Sequence, residues 1–228
     1  MHESMTASRP APSILTKTVS MAIKNVVIFG ATGYTGLNVV KEAIKQGLNV
    51  RTFVRDPEKL PGDLKNKVEP FKGDVLNLDQ VRNAIKGEDA VIVALGTRNN
   101  VAATTMMSEG MKNICVAMIE HGVKPVSVCL SAFLFFPIEQ LPPQFKALTE
   151  DHKRMDQVLR KSGLDWIAIY PPHIADQPGT DGKYEVSHEE ENSTRFRGRR
   201  VSVYDLAHFL VKSISSPEHY RTICGISS

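Results

Sequence analysis

Cysteine is scarce in this chain: Cys115, Cys129 and Cys224 are the only three in 228 residues, and no two stand in C-x-x-C spacing. A sparse, odd set argues against a disulfide framework or a zinc site and suits a reducing compartment. A cytoplasmic protein with no metal is the expectation. No uninterrupted apolar stretch approaches the roughly 20 residues that cross a bilayer, so no membrane partner is expected. Excess charge is also missing. The formal net charge is +3 with 23% charged residues, and no lysine or arginine run is long enough to track a phosphate backbone, so nucleic acid is not an expected partner. The densest basic cluster, Arg195, Arg197, Arg199 and Arg200, reads as a solvated loop or as a contact for an anionic substrate tail. Internal repeats and linker-like stretches are absent too. The chain therefore reads as one domain over residues 21–228, expected to be a monomer, with a core of ordinary size.

Residues 1–20 differ from the rest. They are rich in Ser, Thr, Pro and Ala, lack apolar periodicity and contain no continuous hydrophobic h-region. A disordered leader upstream of an effective start near Met21 is the expectation; Arg9 and Lys17 are the only residues that favour a transit peptide.

From Lys24 onward, short β-rich runs alternate with longer helical ones. Strands are expected over 25–29, 49–54, 68–71, 90–95, 126–130 and 166–170. Helices are expected over 35–46, 79–85, 102–120, 144–161 and 205–214, with Gly47, Gly87 and Gly163 as stops. The segment 176–200 and the C-terminal tail read as irregular. Strict alternation of strand and helix implies an α/β fold of the Rossmann type: a doubly wound, mainly parallel sheet with helices on both faces.

The sharpest motif is Gly30-x-x-Gly33-x-x-Gly36, which follows a strand-like run and opens a helix. Gly30 permits a tight turn, Gly33 lets the backbone approach a pyrophosphate, and Gly36 lets helix and strand pack closely. Amide groups at the helix start then face the phosphates, where the helix dipole also favours negative charge. The second strand ends in Arg55, where an acidic residue would bind a free ribose 2′-hydroxyl; a guanidinium fork suits a 2′-phosphate. The expected cofactor is NADPH, with Lys59 a second cation if the next segment coils. Asp56 is expected to point away. Asp74, followed by Val75, is a candidate partner for the adenine amine, and Leu95, Gly96 and Arg98 end the fourth strand where a doubly wound sheet opens its crevice.

Ser131, after the fifth strand, either bonds a carbonyl in the site or caps local backbone. Cys129 beside it reads more as packing than as a reactive thiol. Phe145, Leu148, His152, Met155 and Leu159 form one inward stripe, on which His152 is either a satisfied core histidine or a group facing the crevice. Short-chain dehydrogenases generally carry a Tyr-x-x-x-Lys proton donor here, yet none of the five tyrosines has a lysine four residues later.

Taken together, Phe-Gly-Ala-Thr-Gly-x-Thr-Gly (29–36), Val-Arg-Asp (54–56), Leu-Gly-Thr-Arg-Asn (95–99), Met-Ser-Glu-Gly (107–110), Ser-Ala-Phe-Leu (131–134), Asp-His-x-Arg-Met (151–155) and Pro-Pro-His-Ile-x-Asp-Gln-Pro (171–178) resemble the NADPH-dependent flavin reductase/biliverdin-IXβ reductase family. The resemblance implies cofactor contacts at Gly30, Thr32, Gly33, Tyr34, Thr35, Arg55, Lys59, Asp74 and Val75, with Leu95, Gly96, Arg98 and Met107 lining the crevice. It places Ser131, His152, His173 and Ile174 around nicotinamide and substrate, and implies hydride transfer to a flat flavin or linear tetrapyrrole. Such an acceptor delocalises charge, so the missing Tyr/Lys pair matters less. The chain departs from the family at Tyr34, where a smaller polar residue is usual, and in the longer, more charged segment 176–200. The other class of function open to it is a non-catalytic NADP(H)-binding redox sensor.

Overall fold

The computed structural model describes residues 22–189 and 198–228; the first twenty residues and Arg195 and Arg197 lie outside them. In chain order the elements are β1 (Asn25–Phe29), α1 (Tyr34–Lys45), β2 (Asn49–Val54), α2 (Gly62–Lys65), β3 (Glu69–Lys72), α3 (Leu78–Ile85), β4 (Ala90–Val93), α4 (Met106–His121) and β5 (Pro125–Cys129). They continue with α5 (Pro143–Arg160), β6 (Asp165–Tyr170), β7 (His173–Ala175), β8 (Glu185–Glu189), β9 (Arg200–Ser202), α6 (Val203–Ser213) and β10 (Thr222–Ser227).

Eight strands form one sheet in the order β3-β2-β1-β4-β5-β6-β10-β8, parallel throughout except for the β10–β8 pair. β7 and β9 make a separate parallel pair. Strand residues alternate between the two faces, and each face carries its own apolar layer. Val27, Phe29, Val91, Val93, Val126 and Val128 pack under α3, α4 and α5. Val26, Ile28, Ala90, Ile92, Ile167 and Ile169 pack under α1 and α6. Burial on both faces explains why the central strands read as continuous apolar runs. The winding reverses between β1 and β4, and the crevice this leaves at their C-terminal ends is where a doubly wound sheet takes its ligand.

The tail and part of the polar segment form strands. Residues 222–227 form β10, parallel to β6, and residues 185–189 form the edge strand β8. Neither shows an apolar run of its own, because Gly225 interrupts one and the other is Glu-Val-Ser-His-Glu. Helix α4 begins at Met106, four residues later than the expected start at Ala102. The chain before it turns sharply, with Arg98 at φ 57°, and Thr104 Oγ1 accepts from the Met106 amide.

Candidate functional site

The loop between β1 and α1 has little room for side chains. Gly30 has φ 82°, and a Cβ there would lie 2.2 Å from the Ala94 carbonyl oxygen at the end of β4. A Cβ on Gly36 would lie 2.1 Å from the Gly30 carbonyl oxygen. Gly30 thus brings the turn against β4, and Gly36 seats α1 on the turn; Gly36 is buried beneath the crevice and does not line it. The Gly33 amide donates to the Gly30 carbonyl at 2.9 Å, and Gly33 then caps α1 with no side chain over the helix start. First-turn amides left without a side-chain cap are donors for an anion, and the helix dipole reinforces them. These are the features of a pyrophosphate cradle.

The crevice encloses about 390 Å³. Its glycine-loop wall is Gly30, Thr32, Gly33, Tyr34 and Thr35, with Arg98 reaching to 3.5 Å from the Thr32 carbonyl oxygen. The second wall holds Arg55, Asp74 and Val75, backed by Phe53, whose ring contacts those of Phe29 and Phe71. Arg55 is exposed and makes no ion pair among the described residues. Asp74 is committed on both sides: its Oδ1 accepts from the Leu76 amide, and its own amide donates to Gln80 Oε1. The remaining floor and wall are Leu95, Gly96, Cys129, His152 and Ile174, joined by Met106, Leu130 and Leu148.

Tyr34 stands at the crevice mouth, 51% exposed, as the first residue of α1. Its phenol pKa is raised, by desolvation first and by Asp176 and Tyr204 second. Cys129 also touches the crevice, but burial pushes its thiol up to about 12, so it stays protonated and unreactive.

Besides Gly36, four expected site residues do not line the crevice. Met107 is fully buried in the core under α4; one step along a helix turns a side chain by about 100°, and Met106 takes the crevice position instead. His173 is exposed, because successive residues of β7 face opposite ways and Ile174 is the one turned inward. Lys59 closes a 3₁₀ turn capped by Asp56, so it lies 3.9 Å from the Asp56 carboxylate and away from the crevice. Ser131 accepts from the Phe133 amide at 3.3 Å, capping the 3₁₀ turn over 132–135.

His152 faces the crevice from α5. Burial pulls its pKa down to about 4 against the opposing charge of Asp151, so the ring is neutral at physiological pH. Its buried Nδ1 has no hydrogen-bond partner among the described residues. An orphaned polar nitrogen in a ligand crevice is a position where bound cofactor or substrate would restore a bond.

Asp151, next to it, plays a role that sequence pattern did not reveal. Fully buried, its Oδ2 accepts from the Met107 amide at 3.0 Å and its Oδ1 from the Ser108 hydroxyl and Arg154 Nη2. Arg154 also donates to the Thr104 carbonyl at 2.8 Å. A carboxylate on α5 therefore caps the start of α4, which has no side-chain cap from Thr105. This clamp fixes α5, and with it His152, against the crevice. The only sequence trace of the clamp is an acidic and a basic residue three apart on a helix, which also describes an ordinary surface pair.

Fold and site together define a dinucleotide-binding α/β protein of the Rossmann type. The chain belongs to the NAD(P)H-binding family, whose family model matches residues 30–217. It is 24% identical over 214 residues to an oxidoreductase of Pestalotiopsis microspora, covering 84% of this chain and 79% of that protein. It is 33% identical over 114 residues to the chloroplastic divinyl chlorophyllide a 8-vinyl-reductase of Arabidopsis thaliana, covering 44% of this chain but only 27% of that protein. Among solved structures, a short-chain dehydrogenase/reductase of Veillonella parvula in complex with NADP superposes with a TM-score of 0.74 at 17% identity, over 91% of this chain and 95% of that one. An anaerobilin reductase of Escherichia coli superposes with a TM-score of 0.74 at 17% identity, over 90% of this chain and 97% of that one. At these identities the superpositions show the shared fold.

Proposed function

We propose that the chain is an NADPH-dependent reductase whose acceptor is a flat conjugated molecule, a flavin first and biliverdin second. The observation that carries this reading is what the crevice contains. An unpaired Arg55 stands beside the glycine loop, while among the described lining residues the only tyrosine is Tyr34 and there is no lysine. Arg55 favours a 2′-phosphate over a free ribose. The lack of a Tyr/Lys donor disfavours isolated carbonyls, which need a proton as the hydride arrives, and favours an acceptor that spreads charge over its own rings.

Within that reading each group has a task. Amides at the start of α1 hold the pyrophosphate and Arg55 holds the 2′-phosphate. Leu148, Leu130 and Ile174 supply apolar wall for a ring system and exclude water. Neutral His152 offers its free nitrogen to orient a polar edge of the cofactor or acceptor. Bound NADPH supplies the hydride. Two of the similar proteins are named as reductases, which supports the class of reaction. The three buried free cysteines support a reducing, cytoplasm-like compartment.

The test mixes purified protein, NADPH and FMN, FAD, riboflavin or biliverdin, and follows loss of the reduced-nicotinamide absorbance. Turnover with at least one acceptor, faster with NADPH than NADH, is expected. NADPH binding without turnover of any flavin or tetrapyrrole would overturn the proposal and leave the redox-sensing reading.

A further inference from the structure

Far from the crevice, at the sheet edge formed by β8, three side chains with metal-binding atoms converge. His188 lies on β8, directly opposite Cys224 on the antiparallel neighbour β10, so both side chains stand on the same face. His219 sits in the 3₁₀ turn over 217–219 that leads into β10. His188 Nε2 and His219 Nδ1 are 2.8 Å apart, and one ligand atom from each of the three residues falls within 4.8 Å of the others.

We propose that His188, His219 and Cys224 form a zinc-binding site that ties the edge strand β8 to β10. Two imidazoles and one thiolate are a ligand set that zinc accepts in four-coordinate geometry, with water in the fourth position. Bond lengths of about 2.0–2.1 Å to nitrogen and about 2.3 Å to sulfur place tetrahedral ligand atoms roughly 3.3–3.6 Å apart. The cluster reaches that spacing by parting the two rings slightly and drawing the thiol inward.

The rings are already held. They cross at 89° with centroids 5.1 Å apart, and Phe209 of α6 packs edge-on against His219 at 5.0 Å. Cys224 Sγ lies 3.5 Å from Thr222 Oγ1, and a coordinated zinc ion deprotonates such a buried thiol outright. Cys224 is fully buried while His188 is exposed, so the cluster runs from the core to the surface. The alternative is a pair of histidines sharing one proton beside an inert thiol.

Metal-stripped full-length protein titrated with Co(II) distinguishes the two. The site predicts a thiolate-to-cobalt charge-transfer band that zinc abolishes and that Cys224→Ser lacks. The exposed His188→Ala, whose fold is checked by its melting temperature, is expected to weaken zinc by more than about tenfold. A wild-type protein without the band, or equal zinc affinity in wild type and His188→Ala, would overturn the proposal.

Discussion

Replacing Arg55 by alanine tests its proposed role as the cofactor-selecting contact. The side chain is exposed, forms no ion pair among the described residues and lies at the end of β2, so its removal costs folding at most about 0.5 kcal/mol, the usual range for such surface positions. In the proposed role it makes a charge-assisted contact with a phosphate, worth about 1.5–3 kcal/mol in general. Solvent access on one side places it in the lower part of that range, about 1.5–2 kcal/mol, or roughly 10- to 30-fold in Kd. Lys59 provides no substitute, because it lies against Asp56 and away from the crevice. Titration of wild type and Arg55→Ala with NADPH and NADH, followed by nucleotide fluorescence, should show that loss for NADPH and almost none for NADH. The salt dependence of NADPH binding should also become shallower. Equal losses for both nucleotides, or no loss for either, would refute the assignment of Arg55 to the 2′-phosphate.

Two further predictions follow from α5. Asp151→Ala strips the cap from α4 and leaves the buried Met107 amide without its acceptor, which should destabilise the fold by about 1–3 kcal/mol in denaturant unfolding; Asp151→Asn, which keeps an acceptor, should cost clearly less, and equal costs would refute the capping role. Because burial holds His152 at about 4, below the ordinary 6.5, the unfolded chain binds more protons than the folded one between these values. The stability contributed by the neutral ring is complete above that window and is lost as pH falls through it. Melting temperatures of wild type and His152→Gln from neutrality to pH 4 should diverge in this interval, with the variant flatter, and parallel curves would show that the ring is not desolvated.

Much of the fold was legible because local rules and burial coincided. The central strands β1, β4, β5 and β6 are buried on both faces, so each announced itself as a largely apolar run, and the glycine spacing marked where the chain had to pass tightly from strand to helix. The same motif implied a dinucleotide, since uncapped amides at a helix start and glycines that admit close approach are backbone properties written directly in residue type. What stayed hidden depended on partners distant in the chain. β8 and β10 are strands because they pair with each other and with β6, not because of their own composition. Met107 and His173 fell outside the crevice because a single step along a helix or strand reorients a side chain, and that register is set by packing. The Asp151 clamp reaches across 44 residues to Met107, and the Cys224–His188 pairing exists only through strand register. Sequence therefore determined that this chain winds a mainly parallel sheet behind a glycine loop that opens a helix. Tertiary structure decided which side chains face that loop, that His152 waits there neutral and unbonded, and that three metal-binding atoms meet at the opposite edge, because orientation and desolvation belong to the packed molecule and not to any residue alone.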